Sequence, residues 1–177
     1  MKRSTILLGM ILLLAAAPRH ATAQYPLESD VSSPEAIVLA AYESIERAPG
    51  ESFEWDRFRS LFIENATMIP NTEQSGGRFR VITPEGFVRW INAVTPIGGP
   101  DDRGFTEEEI HNVVHRYGDI AQVFSTYQKH FSDDEQILGR GINSFQLVLN
   151  DGRWWIVSII WDEEVGAGPI PDAYLGE

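Results

Sequence analysis

Apolar residues along this chain change rhythm halfway. In the first half they recur at helical spacing, and in the second they fill extended runs divided by turns. Ser33-Pro34-Glu35 opens the first predicted helix. It offers a capping serine, a proline for the first helical position and an acid for the positive end of the dipole. Ile37, Val38, Ala41, Tyr42 and Ile45 follow at helical spacing, and Pro49-Gly50 ends the element. Trp55, Phe58, Leu61 and Phe62 predict a second, short helix. Ala66 to Ile69 reads as a short extended run, Gly76-Gly77 as a turn and Phe79 to Ile82 as a returning strand. Thr83-Pro84-Glu85 repeats the capping logic for a helix to about Val94, with Phe87, Trp90, Ile91 and Val94 on one side.

Ile120 to Phe131, Ile142 to Leu149 and Trp154 to Trp161 are rich in β-branched and aromatic residues. Gly118-Asp119, Ser132 to Glu135 and Asp151-Gly152 separate them, which predicts a meander of antiparallel strands. Thr106 to Tyr117 carries two conflicting signals. Thr106 with Glu109 fits a capping box and Phe105 with Ile110 a hydrophobic staple, both of which predict a helix. The segment also runs through Gly118-Asp119 straight into a strand, as a hairpin would. Helices first and strands afterwards define an α+β chain, with the helices packed on one face of a curved, mostly antiparallel sheet.

Composition adds a compartment. Lys2 and Arg3, the apolar run Ile6 to Ala17 and the small-x-small site Ala21-Thr22-Ala23 predict a signal peptide over residues 1–23. Residues 24–32 then form a lead-in, 33–164 one domain, and 165–177 a tail carrying Pro169 and Pro171, expected as an extended or partly disordered arm. Cleavage after residue 23 leaves 154 of the 177 residues. It removes Lys2, Arg3 and Arg19, so 11 basic residues face 26 acids and the charge falls from −12 to −15. Such a chain is repelled by nucleic-acid phosphates and anionic lipid. With no second long apolar run, no membrane association is expected after cleavage. The absence of cysteine excludes disulfides, thiolate metal sites and Cys nucleophiles. A content of 43% apolar and 11% aromatic residues argues against disorder.

The segments Trp55-Asp56-Arg57-Phe58-Arg59-Ser60-Leu61-Phe62 and Gly118-Asp119-Ile120-Ala121-Gln122-Val123 carry a resemblance. So do Arg140-Gly141-Ile142-Asn143-Ser144-Phe145-Gln146-Leu147, Asp151-Gly152-Arg153-Trp154-Trp155-Ile156-Val157 and a last strand ending in Trp161-Asp162. Together they resemble the nuclear-transport-factor-2-like superfamily, over roughly residues 33–164. The superfamily includes ketosteroid isomerase and scytalone dehydratase, and the chain is most similar to its secreted bacterial members of unassigned activity. The resemblance implies a cone with an internal pocket and favours strand for Glu107 to Tyr117. It also implies an exported, periplasmic or extracellular bacterial protein, and a homodimer through the outer sheet face. It does not fix a function, because this fold hosts isomerases, dehydratases, cyclases and non-enzymatic binders.

Strand alternation nominates the residues that reach such a pocket. On the last strand, Trp155, Val157, Ile159 and Trp161 are expected on one face, with Trp154, Ile156, Ser158 and Ile160 on the other. Candidate acid–base residues are His111, His115 and Asp162. The His111 and His115 pair would stand about 6 Å apart along a helix but about 13 Å apart on a strand, and it lacks the glutamate of a zinc-protease pattern, so no metal site is assigned. Ligand contacts are expected from Tyr42, Trp55, Phe58, Phe87 and Trp90 on helices. Thr126, Tyr127, Asn143, Ser144 and Gln146 are expected to add contacts from strands. Polar strand residues have a second use, which is to pair with one another across the sheet. Arg57, Arg59 and Arg140 are expected to pair with acids. Three functions remain open on sequence: a binder of a small, mostly apolar molecule, an isomerase-, dehydratase- or cyclase-type enzyme, and a non-catalytic assembly module. No cofactor is implied.

Overall fold

The computed structural model describes residues 24–71, 76–77, 80–95 and 97–176. The expected signal segment and the start of the expected strand at Phe79 lie outside them. Both capping predictions hold. Ser33 Oγ accepts from the Ala36 N–H at 3.1 Å to start α1 (Pro34–Ser44). Thr83 Oγ1 accepts from the Gly86 N–H at 3.1 Å to start α3 (Pro84–Val94). Between them lie α2 (Trp55–Ser60) and β1 (Phe62–Ile69). The second half is β2 (Thr106–Tyr117), β3 (Ile120–His130), β4 (Gly139–Asn150) and β5 (Arg153–Glu163), with α4 (Glu164–Ala167) opening the tail. Of the expected returning strand, Ile82 pairs with Met68 through two backbone bonds of 2.8 and 2.9 Å.

The five strands form one sheet in the order β1-β5-β4-β3-β2. β1 runs parallel to β5, and every other pair is antiparallel. This is the α+β arrangement expected. The ambiguous segment is strand β2, paired with β3 along its length. The groups that imitated a helix start are used elsewhere: Thr106 Oγ1 bonds Ser132 Oγ at 3.0 Å, and Glu109 accepts from Asn112 and Ser125. A ladder of non-local backbone bonds outweighs one local cap.

α1 lies across β2, β3 and β5. It is buried nearly all round, through Ile37, Val38, Ala40, Ala41, Tyr42 and Ser44. α3 is amphipathic and fully buries only Val88. Trp154, Ile156, Phe145, Leu147 and Val123 form the sheet side of the core. Each such side chain stabilises the fold by about 1.5–3 kcal/mol on burial.

Two bulges decide which side chains face the helices. In β5, Leu147 pairs with Ile156 and Gln146 with Ser158, so Val157 is an extra residue. One added residue reverses the alternation. Trp154 and Ile156 before it, and Ile159 and Trp161 after it, therefore all enter the core. That corrects the simple alternation expected for this strand. In β2, Glu109 pairs with Tyr127 and His111 with Thr126, which leaves Ile110 as the extra residue. Glu107 and Glu109 point to the helix-covered face, and His111 onward is reversed.

The tail is not an extended arm. Ile170 is buried, Tyr174 stacks on Phe124 with ring centres 5.5 Å apart, and Thr126 Oγ1 donates to the Tyr174 carbonyl at 2.6 Å. It lies on the sheet face away from the helices, over β2 and β3.

Candidate functional site

A cavity of about 350 Å³ opens between the helices and the sheet. Its wall is aromatic, and the rings hold one another. Phe87 stacks on Phe58 at 5.5 Å and meets Trp90 and Trp161 edge-on at 6.0 and 6.2 Å. Trp55 contacts Phe53 and Phe58, and its Nε1 donates to Asn92 Oδ1 at 3.0 Å. Rings fixed this way give a preformed apolar surface.

The polar floor comes from β2, β3, β4 and β5. Glu107, Tyr127, Lys129, Asn143 and Glu163 line it, with Tyr42 from α1. Lys129 Nζ pairs with Glu163 Oε1, and Tyr127 OH donates to the same oxygen at 3.2 Å. Gly141 makes room for this arrangement. A side chain there would place its Cβ 2.7 Å from the Tyr127 hydroxyl and 2.4 Å from the Asp162 carbonyl. A second chain of bonds has a fixed direction. Ser125 Oγ donates to Glu109, so the Tyr42 hydroxyl, 2.7 Å away, donates to Ser125. Asn143 Nδ2 donates to the Tyr42 oxygen at 2.9 Å.

Burial raises the Glu107 carboxyl to about 7, with Glu163 adding to the rise while Lys129 and Asn143 oppose it. The surface Glu107 retains faces the cavity. Burial, reinforced by the Glu107 charge, pushes the Tyr42 and Tyr127 hydroxyls well above the usual tyrosine range. Both tyrosines therefore serve as neutral hydrogen-bonding groups.

The loops beside the cavity residue Phe105 gather on Asp102. Its carboxylate meets Arg47 Nη2 at 2.7 Å and accepts from the N–H groups of Gly50, Gly98 and Gly104 at 2.9, 2.7 and 3.1 Å. Arg47 and Phe105, the latter a cavity residue, exchange two backbone bonds of 2.9 Å. Gly104 allows the close passage, since a Cβ there would stand 2.7 Å from the Arg47 carbonyl. Ser132, next to the cavity residue Phe131, donates its Oγ–H to the Arg47 carbonyl at 2.7 Å.

Of the residues expected from sequence, Tyr42, Trp55, Phe58, Phe87, Trp90, Tyr127 and Asn143 line this cavity. Thr126, Ser144 and Gln146 face the other way. Thr126 is covered by the tail, and Ser144 Oγ accepts from Gln122 Nε2 at 3.3 Å, the cross-sheet pairing that was the alternative use of these groups. The acid–base candidates are also outside. The bulge at Ile110 turns His111 and His115 to the opposite face, where His111 lies under Gly176 and His115 is exposed. Asp162 is exposed at the strand end, and its neighbour Glu163 takes the inward place. Sequence reasoning passed over Glu107, Lys129 and Glu163. The last two were within reach of alternation, two residues beyond Tyr127 and Trp161. Glu107 needed the strand assignment of β2. As expected, Arg57 pairs with Asp30, Glu43 and Glu54, Arg59 with Glu85 and Asp56, and Arg140 with Glu164. Among the described residues, no group of three or more His, Asp or Glu could hold a metal ion, and no helix is long and apolar enough to cross a membrane.

No protein-family model matches the chain, and no curated protein matches it. Solved structures do. A protein of unknown function with a cystatin-like fold from Nostoc punctiforme aligns with a TM-score of 0.55 at 11% identity, over 75% of this chain and 89% of that one. A nuclear-transport-factor-2-like protein of unknown function from Silicibacter pomeroyi aligns with a TM-score of 0.47 at 16% identity, over 73% and 91%. Another from Shewanella baltica gives 0.49 at 16% identity, over 72% and 87%. The likeness is one of fold: at a TM-score of 0.55 the chain shares its α+β architecture with the cystatin-like-fold protein.

Proposed function

We propose that this is an exported protein that binds a small, mostly apolar molecule between its helices and sheet. The observation that carries the reading is the cavity itself, with rings held by one another above a hydrogen-bonded floor. Titration with prodan, a neutral polarity-sensitive naphthalene dye, tests it. One saturable site is expected, with dye emission shifted to the blue and tryptophan emission quenched through Trp55, Trp90 and Trp161. Ile91→Trp, which adds bulk at the cavity lining, is expected to weaken binding at least about tenfold with unchanged circular dichroism. Unsaturable binding, or equal binding by the variant, would remove the cavity as the site.

Acid–base chemistry on a bound molecule is a second reading. The side chain that favours it is Glu107, whose raised carboxyl faces the cavity beside Tyr42 and Asn143. His111, His115 and Asp162 lie outside the cavity that this reading uses. A homodimer through the outer sheet face is also proposed, on exposed Ile120 and Ile160, and light scattering of the purified protein measures it.

A further inference from the structure

We propose that the molecule held in the cavity is an amine, its ammonium seated on Glu107 and its hydrocarbon part against the aromatic wall. This rests on the cavity being a binding site and names the ligand's chemical class.

The floor's hydrogen bonds, taken one donor at a time, lead there. The proton of Tyr127 goes to Glu163, that of Ser125 to Glu109, and that of Tyr42 to Ser125. The Asn143 amide donates to Tyr42. Lys129 is held by Glu163 and wedged against Gly139, where a Cβ would meet its Cε at 2.9 Å. The hydroxyl donors on the floor are thus committed, Lys129 keeps two N–H groups beyond its bond to Glu163, and the Glu107 oxygens accept from no hydroxyl or ammonium of the floor. A ligand that brings N–H groups matches Glu107.

Charge selects among such ligands. Lys129 and Glu163 neutralise one another as a pair. The groups facing Glu107 are Lys129 and Tyr127 from β3, Glu163 from β5, Asn143 from β4 and Tyr42 from α1, with Glu109 further along β2. Ionised Glu107 is therefore one excess negative charge in a desolvated place. An ammonium supplies its missing partner, whereas a carboxylate ligand would add a second negative charge. The wall is aromatic as well: Trp55, Trp90 and Trp161 line the same space, and an indole face attracts a cation.

Calorimetric titration with three probes on one carbon skeleton tests this: 4-phenylbutylamine, 4-phenylbutan-1-ol and 4-phenylbutanoate. At pH 8.5 the amine is expected to bind about tenfold or more tighter than the alcohol, with the carboxylate weakest. The preference should collapse toward pH 5, as Glu107 takes up its proton. In Glu107→Gln the amine should fall to the alcohol's affinity at every pH. An alcohol that equals the amine at pH 8.5, or a carboxylate that binds tightest, overturns the amine assignment and leaves the cavity as a site for another ligand. Failure of all three to bind at millimolar concentration overturns the cavity reading, and this inference with it.

Discussion

Asp102 and Glu107 stand five residues apart, and the fold treats them in opposite ways. Asp102 is given every partner a carboxylate can use: a guanidinium and three backbone N–H groups. Those partners hold its carboxyl far below the usual range, Arg47 first among the causes. Glu107 is given burial, one amide and an already paired lysine, and its carboxyl rises to about 7. The first arrangement organises loops. The second leaves a carboxyl with no ion-pair partner of its own at an open cavity, the setting in which perturbed carboxyls mark candidate functional sites. The difference separates a structural carboxylate from a functional candidate without reference to any relative.

The comparison breaks most visibly at Asp102. Asp102→Ala removes the carboxylate partner of a buried guanidinium and frees the three N–H groups that shape the loops beside Phe105. The melting temperature is expected to fall on the order of 10 °C, read by circular dichroism. A drop within about 2 °C would show that the loops hold without it. The sign with pH follows from the lowered carboxyl. Its contribution is complete at neutral pH and is lost only as pH falls below the ordinary carboxylate range.

Glu107 runs the other way. The folded state binds its proton more tightly than the unfolded state does, so the cost is absent below the ordinary value of 4.5. It grows as pH rises through the window to about 7 and is complete above that. The full penalty is about 3 kcal/mol. Urea denaturation of Glu107→Gln between pH 4.5 and pH 8 should lack this decline and overtake the native chain at the alkaline end. Parallel curves for the two proteins would contradict the raised carboxyl.

The smallest effect is expected at Tyr42→Phe. It deletes the middle of the directed chain from Asn143 to Ser125 and leaves Ser125 bonded to Glu109. A loss of about 1–2 kcal/mol is expected, with the Asn143 amide released toward Glu107. No change in stability would mean that the chain does not order the floor.

The fold was legible where local and global signals agreed. Ser33 and Thr83 cap the helices they announced, and the aromatic spacing of α2 and α3 placed Trp55, Phe58, Phe87 and Trp90 on the cavity wall. Legibility stopped at Ile110 and Val157. A bulge is one residue that no pattern of polarity marks, yet it reverses every side chain after it. Counting by twos from Glu107 carries His111 and His115 inward, and the bulge carries them out. Counting through Val157 splits Trp154 and Ile156 from Ile159 and Trp161, and the bulge joins them in one core. Glu107 stayed hidden for a different reason. It lies in the one strand whose local capping signals predict a helix, Thr106 with Glu109 and Phe105 with Ile110.

The most direct test is the titration of the Glu107 side-chain carboxyl by carbon NMR, in the free protein and with 4-phenylbutylamine at saturation. The free protein should show a midpoint near 7, and the amine should move it downward by at least about one unit, as an ammonium favours the ionised form. A midpoint near 4.5 in the free protein, unmoved by the amine, would contradict both the unpaired charge and the ligand proposed to complete it.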